Sequence, residues 1–217
     1  MQVWTASFLD CPERVEVLLE CIQSVHNLNL PHFVSVSRHQ QEVQKLVDLT
    51  QEFPNLTLFI HRKRLRQFEH IVFILSKSTA DKDSYLIFLD DDDVLVKLPT
   101  TTFSTKQYST TKFEDTALYQ KYYPYDPDTD SLSYDFSGTT CTKDQLQVFI
   151  THMKAYLKLP TLDMIFDCVY LNKPPDQNSP SVFKRKWNPW KYRNPWQEKC
   201  NVTMQEGLQH LKNLDKM

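Results

Sequence analysis

Over its first ninety residues the sequence alternates short apolar runs with stretches of helical periodicity, and that alternation leaves few folds open. Gln2–Phe8 reads as a strand, His32–Ser37 as a second, Leu56–His61 as a third and Ser84–Leu89 as a fourth. Between them, apolar residues recur three and four positions apart. They are Val15, Leu18, Leu19, Ile22 and Val25, then Val43, Leu46 and Val47 within 40–53, then Phe68, Ile71, Val72 and Leu75 within 66–78. Asp10, Pro12 and Glu13 supply an N-cap, a first-turn proline and a glutamate three residues on, the signature of a helix start. Short strands separated by helices align in parallel through right-handed crossovers. The fourth run (SYLIFL) is apolar enough to be covered on both faces of such a sheet.

The second half reads differently. Residues 97–140 are rich in Thr, Ser, Tyr and Asp with little periodicity, which predicts loops and short antiparallel strands. Thr142 and Gln145 form a capping box ahead of a helix with Leu146, Phe149, Ile150 and Met153 inward. Leu162–Leu171 and the segment after Thr203 read as further helices. The expected organisation is one domain over residues 1–217, a β/α half (1–95) followed by a second half with its tail (96–217). The compact size also fits a fragment of a longer chain.

Glycine gives the sharpest exclusion. The chain has two, Gly138 and Gly207, where average usage of about 7% predicts roughly fifteen. That leaves no GxxxxGK[ST] loop, no GxGxxG fingerprint and no GxSxG elbow. A phosphate-bearing ligand would have to be held by cations, a metal together with Arg or Lys. The net charge of −2 argues against nucleic acid as a partner. No apolar run reaches the ~20 residues of a membrane span, and the first residues lack a secretory pattern. The five cysteines are widely spaced, odd in number and without a CxxC pair. They read as reduced thiols of a cytoplasmic protein, not as a disulfide framework or a zinc site. On that reading the sequons at Asn55 and Asn201 go unused.

The chemistry-bearing feature is residues 90–93, four aspartates that end the fourth strand. In a continuing strand Asp90 and Asp92 face one way, Asp91 and Asp93 the other. Carboxylates two residues apart, with Cα atoms about 6.6 Å apart, can converge on one divalent cation. With no cation, four adjacent negative charges repel one another and resist ionisation. Open parallel sheets bind ligands beyond the carboxyl ends of their strands, which is where this cluster falls. A solvated acidic turn is the plain alternative.

Residues 86–94 (LIFLDDDDV) resemble the DxD segment of GT-A glycosyltransferases, in which an apolar strand ends in L-D-x-D-D. The same residues satisfy the D-x-D-x-[TV] pattern of haloacid-dehalogenase-like phosphatases, with Asp90 as nucleophile. Three features favour the glycosyltransferase: the motif's place on the fourth strand, the scarcity of glycine, and residues 137–146 (SGTTCTKDQL). The last looks like the small-residue turn and helix that line the sugar pocket. With residues 61–67 (HRKRLRQ) added, the pattern is similar to chlorella-virus glycosyltransferase domains that decorate a capsid glycoprotein. A third, non-enzymatic reading is a carbohydrate-binding module built on the tryptophan-rich residues 184–196.

The GT-A resemblance implies a mostly parallel sheet flanked by helices, with a small antiparallel acceptor-side region. It implies a metal-dependent hexosyltransferase moving a sugar from a nucleotide-diphosphate donor, a UDP-sugar, to a hydroxyl of a glycan or glycoprotein. Mn²⁺ or Mg²⁺ is the implied cofactor, with Asp90 and Asp92 as ligands. The implied nucleotide site comprises Thr5, Ser7 and Arg14 of the first β/α loop, Arg62 and Arg66 of the basic run, Asp90, Asp91, and Gly138 at the pocket turn. An ordinary capped turn and a solvated loop are the alternatives for the first loop and the basic run. Gln67 and His70 lie within reach of the site, although a lone histidine is more often structural. Many relatives read the base with an aspartate at the end of strand two, where this chain has Ser37, Arg38 and His39. An inverting enzyme needs a carboxylate general base. Asp163 matches that position and Asp167 is the alternate. A retaining enzyme needs neither, and an aspartate in a first helical turn also complements the helix dipole.

Overall fold

The alternation over residues 2–89 forms β1 (Gln2–Leu9), α1 (Glu13–Asn27), β2 (His32–Arg38), α2 (Val43–Glu52), β3 (Leu56–His61), α3 (Gln67–Lys77) and β4 (Tyr85–Phe88). β5 (Asp93–Leu95), β6 (Thr140–Thr142), α4 (Lys143–His152), a 3-10 turn (Lys154–Tyr156) and β7 (Phe183–Arg185) follow. The structure is a computed structural model that describes residues 1–9, 13–38, 43–96, 98, 139–158, 162, 166 and 183–185. Gly138, Asp163, Asp167, the tryptophans after Trp4 and the expected C-terminal helix lie outside the described residues. So does most of the helix expected over Leu162–Leu171.

Among the described residues five strands form one sheet in the order β3-β2-β1-β4-β6. β1 pairs in parallel with β2 and with β4, and β2 in parallel with β3. β6 runs antiparallel to β4, and β5 pairs antiparallel with β7. The chain winds outward from β1 to β3 and then returns to set β4 on the other side of β1. The winding therefore reverses between β1 and β4. The crevice at their carboxyl ends is the topological switch point, where open α/β sheets bind ligands.

Period-two alternation along each strand sends its apolar residues to opposite faces. On one face Leu9, Val34 and Val36 meet Val15, Leu18 and Ile22 of α1 and Leu46 of α2. Val3 and Ile87 meet Cys21 and Val25 beside them. On the other face Trp4, Leu86 and Phe88 pack on Phe68, Ile71 and Ile74 of α3 and on Leu146 and Phe149 of α4, with Phe166 added. Val47, expected to face inward, is 39% exposed. It follows the buried Leu46 by one position, about 100° round the helix.

Local signals explain the helix ends. Gln145 N donates to the Thr142 hydroxyl at 3.2 Å, and Gln145 Oε1 accepts from Thr142 N at 2.9 Å, so the expected capping box opens α4. α1 ends without glycine. Asn29 adopts a left-handed conformation (φ 54°), Asn29 N donates to His26 O at 2.8 Å and Leu30 N to Val25 O at 3.4 Å. That is a Schellman cap, with Leu30 packed beside Val25. Asn55 fixes the adjoining turn, donating Nδ2–H to Leu30 O at 2.7 Å and accepting from His26 Nδ1 at 2.7 Å. Among the described residues no helix is long and apolar enough to cross a membrane.

Candidate functional site

β4 stops at Phe88, although Leu89 N still donates to Trp4 O at 3.1 Å. The chain then turns, closed by Asp93 N donating to Asp90 O at 3.1 Å, and β5 begins at Asp93. Strand alternation thus ends before the aspartates begin, which corrects the facing expected from the sequence. Asp93 joins Asp90 and Asp92, and carboxylate oxygens of the three lie within 4.8 Å of one another. Asp92 and Asp93 are buried and Asp90 is half-buried.

Asp91 is held apart from this group. Its Oδ2 accepts from Ser7 Oγ at 2.5 Å, and Arg14 Nη2 donates to Oδ1 at 2.7 Å and to Oδ2 at 2.8 Å. Ser7 lies near the carboxyl end of β1 and Arg14 in the first turn of α1. The parallel pairing of β1 with β4 brings all three to one place. Of the first-loop residues expected at a nucleotide, Ser7 and Arg14 are thus engaged by an aspartate from the same expected set. Thr5 lies deeper in β1. It is fully buried, with Oγ1 2.9 Å from His32 Nε2. Beneath the turn, Cys21 Sγ donates to Asp90 O at 3.6 Å. Burial, then the charges of Asp91 and Asp93, push that thiol well above its usual range, so it stays protonated and is no nucleophile.

α3 reaches the cluster from the other side, where Gln67 Nε2 donates to Asp90 Oδ1 at 3.2 Å. Arg66 precedes it, its backbone N–H held by Glu69 Oε2 at 2.9 Å. Arg62 and Lys63 are exposed. The Arg64 guanidinium sits 4.0 Å above the Phe8 ring, a cation–π contact at the end of β1.

His70 does not reach the aspartates. It is buried, with Nδ1 2.8 Å from Ser35 Oγ and Nε2 3.1 Å from Ser37 Oγ. Its tautomer follows from counting protons. Ser37 donates its only hydroxyl proton to Lys63 O at 3.0 Å and accepts from Leu65 N at 2.9 Å. His70 Nε2–H must therefore donate to Ser37, leaving Nδ1 to accept from Ser35, which in turn accepts from His61 Nε2 at 2.8 Å. Burial, reinforced by His61, pushes His70 down to about 3. This chain of bonds pins residues 63–65 to the end of β2 and leaves the Ser37 hydroxyl fully satisfied. His70 is structural.

Three clustered carboxylates offer hard oxygen donors, the set preferred by Mg²⁺, Mn²⁺ or Ca²⁺ over softer ions. Their 4.8 Å spread is about twice a cation–oxygen bond of ~2.1–2.4 Å, so the residues fit a divalent cation. Of the expected pocket turn, Thr139 is among the described residues, and its carbonyl accepts from Phe88 N at 2.9 Å. Sequence reading missed Asp93. The apolar Val94 and Leu95 that open a new strand are the signal that the aspartates occupy a turn.

No protein-family model matches the sequence, and no curated protein matches it. Solved structures match it by shape. Glucosyl-3-phosphoglycerate synthase from Mycobacterium tuberculosis, in complex with Mg²⁺ and uridine diphosphate, aligns with a TM-score of 0.51 at 13% identity, over 94% of this chain and 78% of that one. S. aureus TarS 1–349 in complex with UDP aligns at 0.45 and 11% identity, over 87% of this chain and 61% of that one. The glycosyltransferase GlyE of Streptococcus pneumoniae aligns at 0.44 and 10% identity, over 96% and 63%. In shorter alignments the chain spans 28% of TarS 1–349 and 50% of HddC from Yersinia pseudotuberculosis. Likeness at this identity defines the fold alone. The chain has the GT-A fold, a mostly parallel central sheet between layers of helices.

Proposed function

We propose that the chain is a metal-dependent glycosyltransferase domain that transfers a sugar from a nucleoside-diphosphate donor, a UDP-sugar, to an acceptor hydroxyl. The observation that carries this reading is the convergence of Asp90, Asp92 and Asp93 at the β1/β4 switch point of a GT-A fold. The Mycobacterium tuberculosis synthase, which has this fold, was solved with Mg²⁺ and UDP, and that supports the choice of donor.

In this reading Asp92 and Asp90, joined by Asp93, hold Mg²⁺ or Mn²⁺. A cation held there would supply positive charge for a departing diphosphate. The chain's own groups do the remaining work. Gln67 holds Asp90 in place. Arg62 and Arg66, at the approach to α3, offer planar forks for the diphosphate oxygens. Gly138 as the pocket turn and Asp163 as general base rest on the sequence resemblance. So do the hexosyl type of the donor, a glycan of a viral capsid glycoprotein as acceptor, and the pairing of halves 1–95 and 96–217 in one domain.

Calorimetric titration of the chain with UDP, GDP and ADP tests the proposal. The expected result is binding of UDP with Mn²⁺ present, loss of it in EDTA, and loss in Asp92→Ala. Failure of every nucleoside diphosphate to bind with Mn²⁺ present contradicts it.

A further inference from the structure

Three of the four aspartates bring carboxylate oxygens together, and the fourth, Asp91, is tied down apart from them. Asp91 is buried, accepting from Ser7 Oγ at 2.5 Å and from Arg14 Nη2 at 2.7 and 2.8 Å. Because Asp91 sits between Asp90 and Asp92 in sequence, holding its side chain holds the backbone of both neighbours. The anchors belong to rigid elements. Ser7 is in β1, the middle strand of the sheet. Arg14 is in α1, whose next residues toward the core, Val15 and Leu18, are fully buried. Two lighter ties reach Asp90 itself, from Cys21 Sγ to its carbonyl at 3.6 Å and from Gln67 Nε2 to its carboxylate at 3.2 Å.

We propose that Ser7, Arg14 and Asp91 form a positioning clamp that presets the turn 90–93, so that Asp90, Asp92 and Asp93 are presented together to a divalent cation. Arg14 is then a positioning residue that acts through Asp91, and its role is not to bind the nucleotide. The inference rests on the cation-dependent reading of the site given above.

Charge and geometry pull in opposite directions here, which makes the role measurable. Removing the Arg14 cation leaves the Asp91 carboxylate without that positive charge, beside three other aspartates. By Coulomb attraction alone this draws a cation in more tightly. Loss of the preset turn acts the other way, since groups that orient metal ligands are typically worth about 10–100-fold in metal affinity. The sign of the change separates positioning from simple electrostatics.

The experiment is Mn²⁺ binding to the full chain without nucleotide, read from the electron paramagnetic resonance signal of free Mn²⁺. Arg14→Met is expected to weaken binding about tenfold or more. Arg14→Lys, which keeps the charge but puts a shorter ammonium in place of the guanidinium nitrogen that holds both Asp91 oxygens, is expected to fall between Arg14→Met and wild type. The Arg14→Met/Asp91→Asn double variant is expected to bind no more weakly than the weaker single, because both act through one contact. Unchanged or tighter binding in Arg14→Met overturns the clamp and leaves the glycosyltransferase reading standing. Wild-type protein that binds no Mn²⁺ overturns both. If Arg14→Met does not fold, Arg14→Lys carries the test, and wild-type affinity in that variant overturns the clamp.

Discussion

Arg14 and Asp91 stand 77 residues apart in sequence and are joined by hydrogen bonds of 2.7 and 2.8 Å from one guanidinium nitrogen. The contact ties the first turn of α1 to the turn that follows β4. It balances the charge of Asp91 beside three clustered carboxylates.

Hydrogen bonds to charged groups are worth about 1.5–3 kcal/mol, so Arg14→Met is expected to lower stability by about that amount. Asp91→Asn is expected to cost less, because removing a carboxylate also relieves repulsion among the four. Urea unfolding midpoints check the order, and a larger cost for Asp91→Asn would contradict it.

The aromatic core under β4 makes a second prediction. Phe149 is fully buried, with ring centroids 4.7 Å from Phe166 and 5.7 Å from Phe68. Phe149→Ala is expected to cost about 3–5 kcal/mol. Denaturant unfolding measures this, and a loss below about 1 kcal/mol would mean that α4 does not pack on the sheet as described.

Two buried histidines set an acid limit. Burial pushes His32 and His70 down to about 3, with His61 adding to the fall at His70, against about 6.5 in an unfolded chain. Between these values the unfolded chain takes up protons that the folded chain refuses. Stability is therefore full above about pH 6.5 and is lost as pH falls toward 3. Each histidine contributes a slope of up to about 1.4 kcal/mol per pH unit in that window. Urea unfolding at a series of pH values measures the slope. His70→Gln, which keeps polar contact with Ser35 and Ser37, is expected to make it shallower, and an unchanged slope contradicts the assignment.

The β/α alternation was legible because the buried faces of short strands and helices repeat within a few residues. Leu46 and Phe149 were found that way, and Val47 was misplaced by a single position. The acidic run was equally plain. What escaped was set by distant partners. β4 pairs with β1 through Phe88 at most, and nothing in residues 84–93 alone marks that stop, so Asp93 was placed with Asp91. His70 owes its structural role to Ser35 and Ser37, which stand 35 and 33 residues upstream. Ser7 and Arg14 were picked as site residues from the loop they occupy, but their shared partner is visible only when β1 and β4 lie side by side.

The most direct test of the central claim is thermal unfolding with UDP, with Mn²⁺ and with both together, in wild type and in Asp92→Ala. A ligand at 100 times its dissociation constant adds about 2.7 kcal/mol, a rise of roughly 5–10 °C for a chain of this size. The expected result in wild type is some stabilisation by Mn²⁺ alone, a further rise of that order when UDP is added with Mn²⁺, and none with UDP alone; in Asp92→Ala UDP adds nothing. Stabilisation by Mn²⁺ alone with nothing added by any nucleoside diphosphate, or the same rise in Asp92→Ala, would contradict a nucleotide-sugar site built on these aspartates.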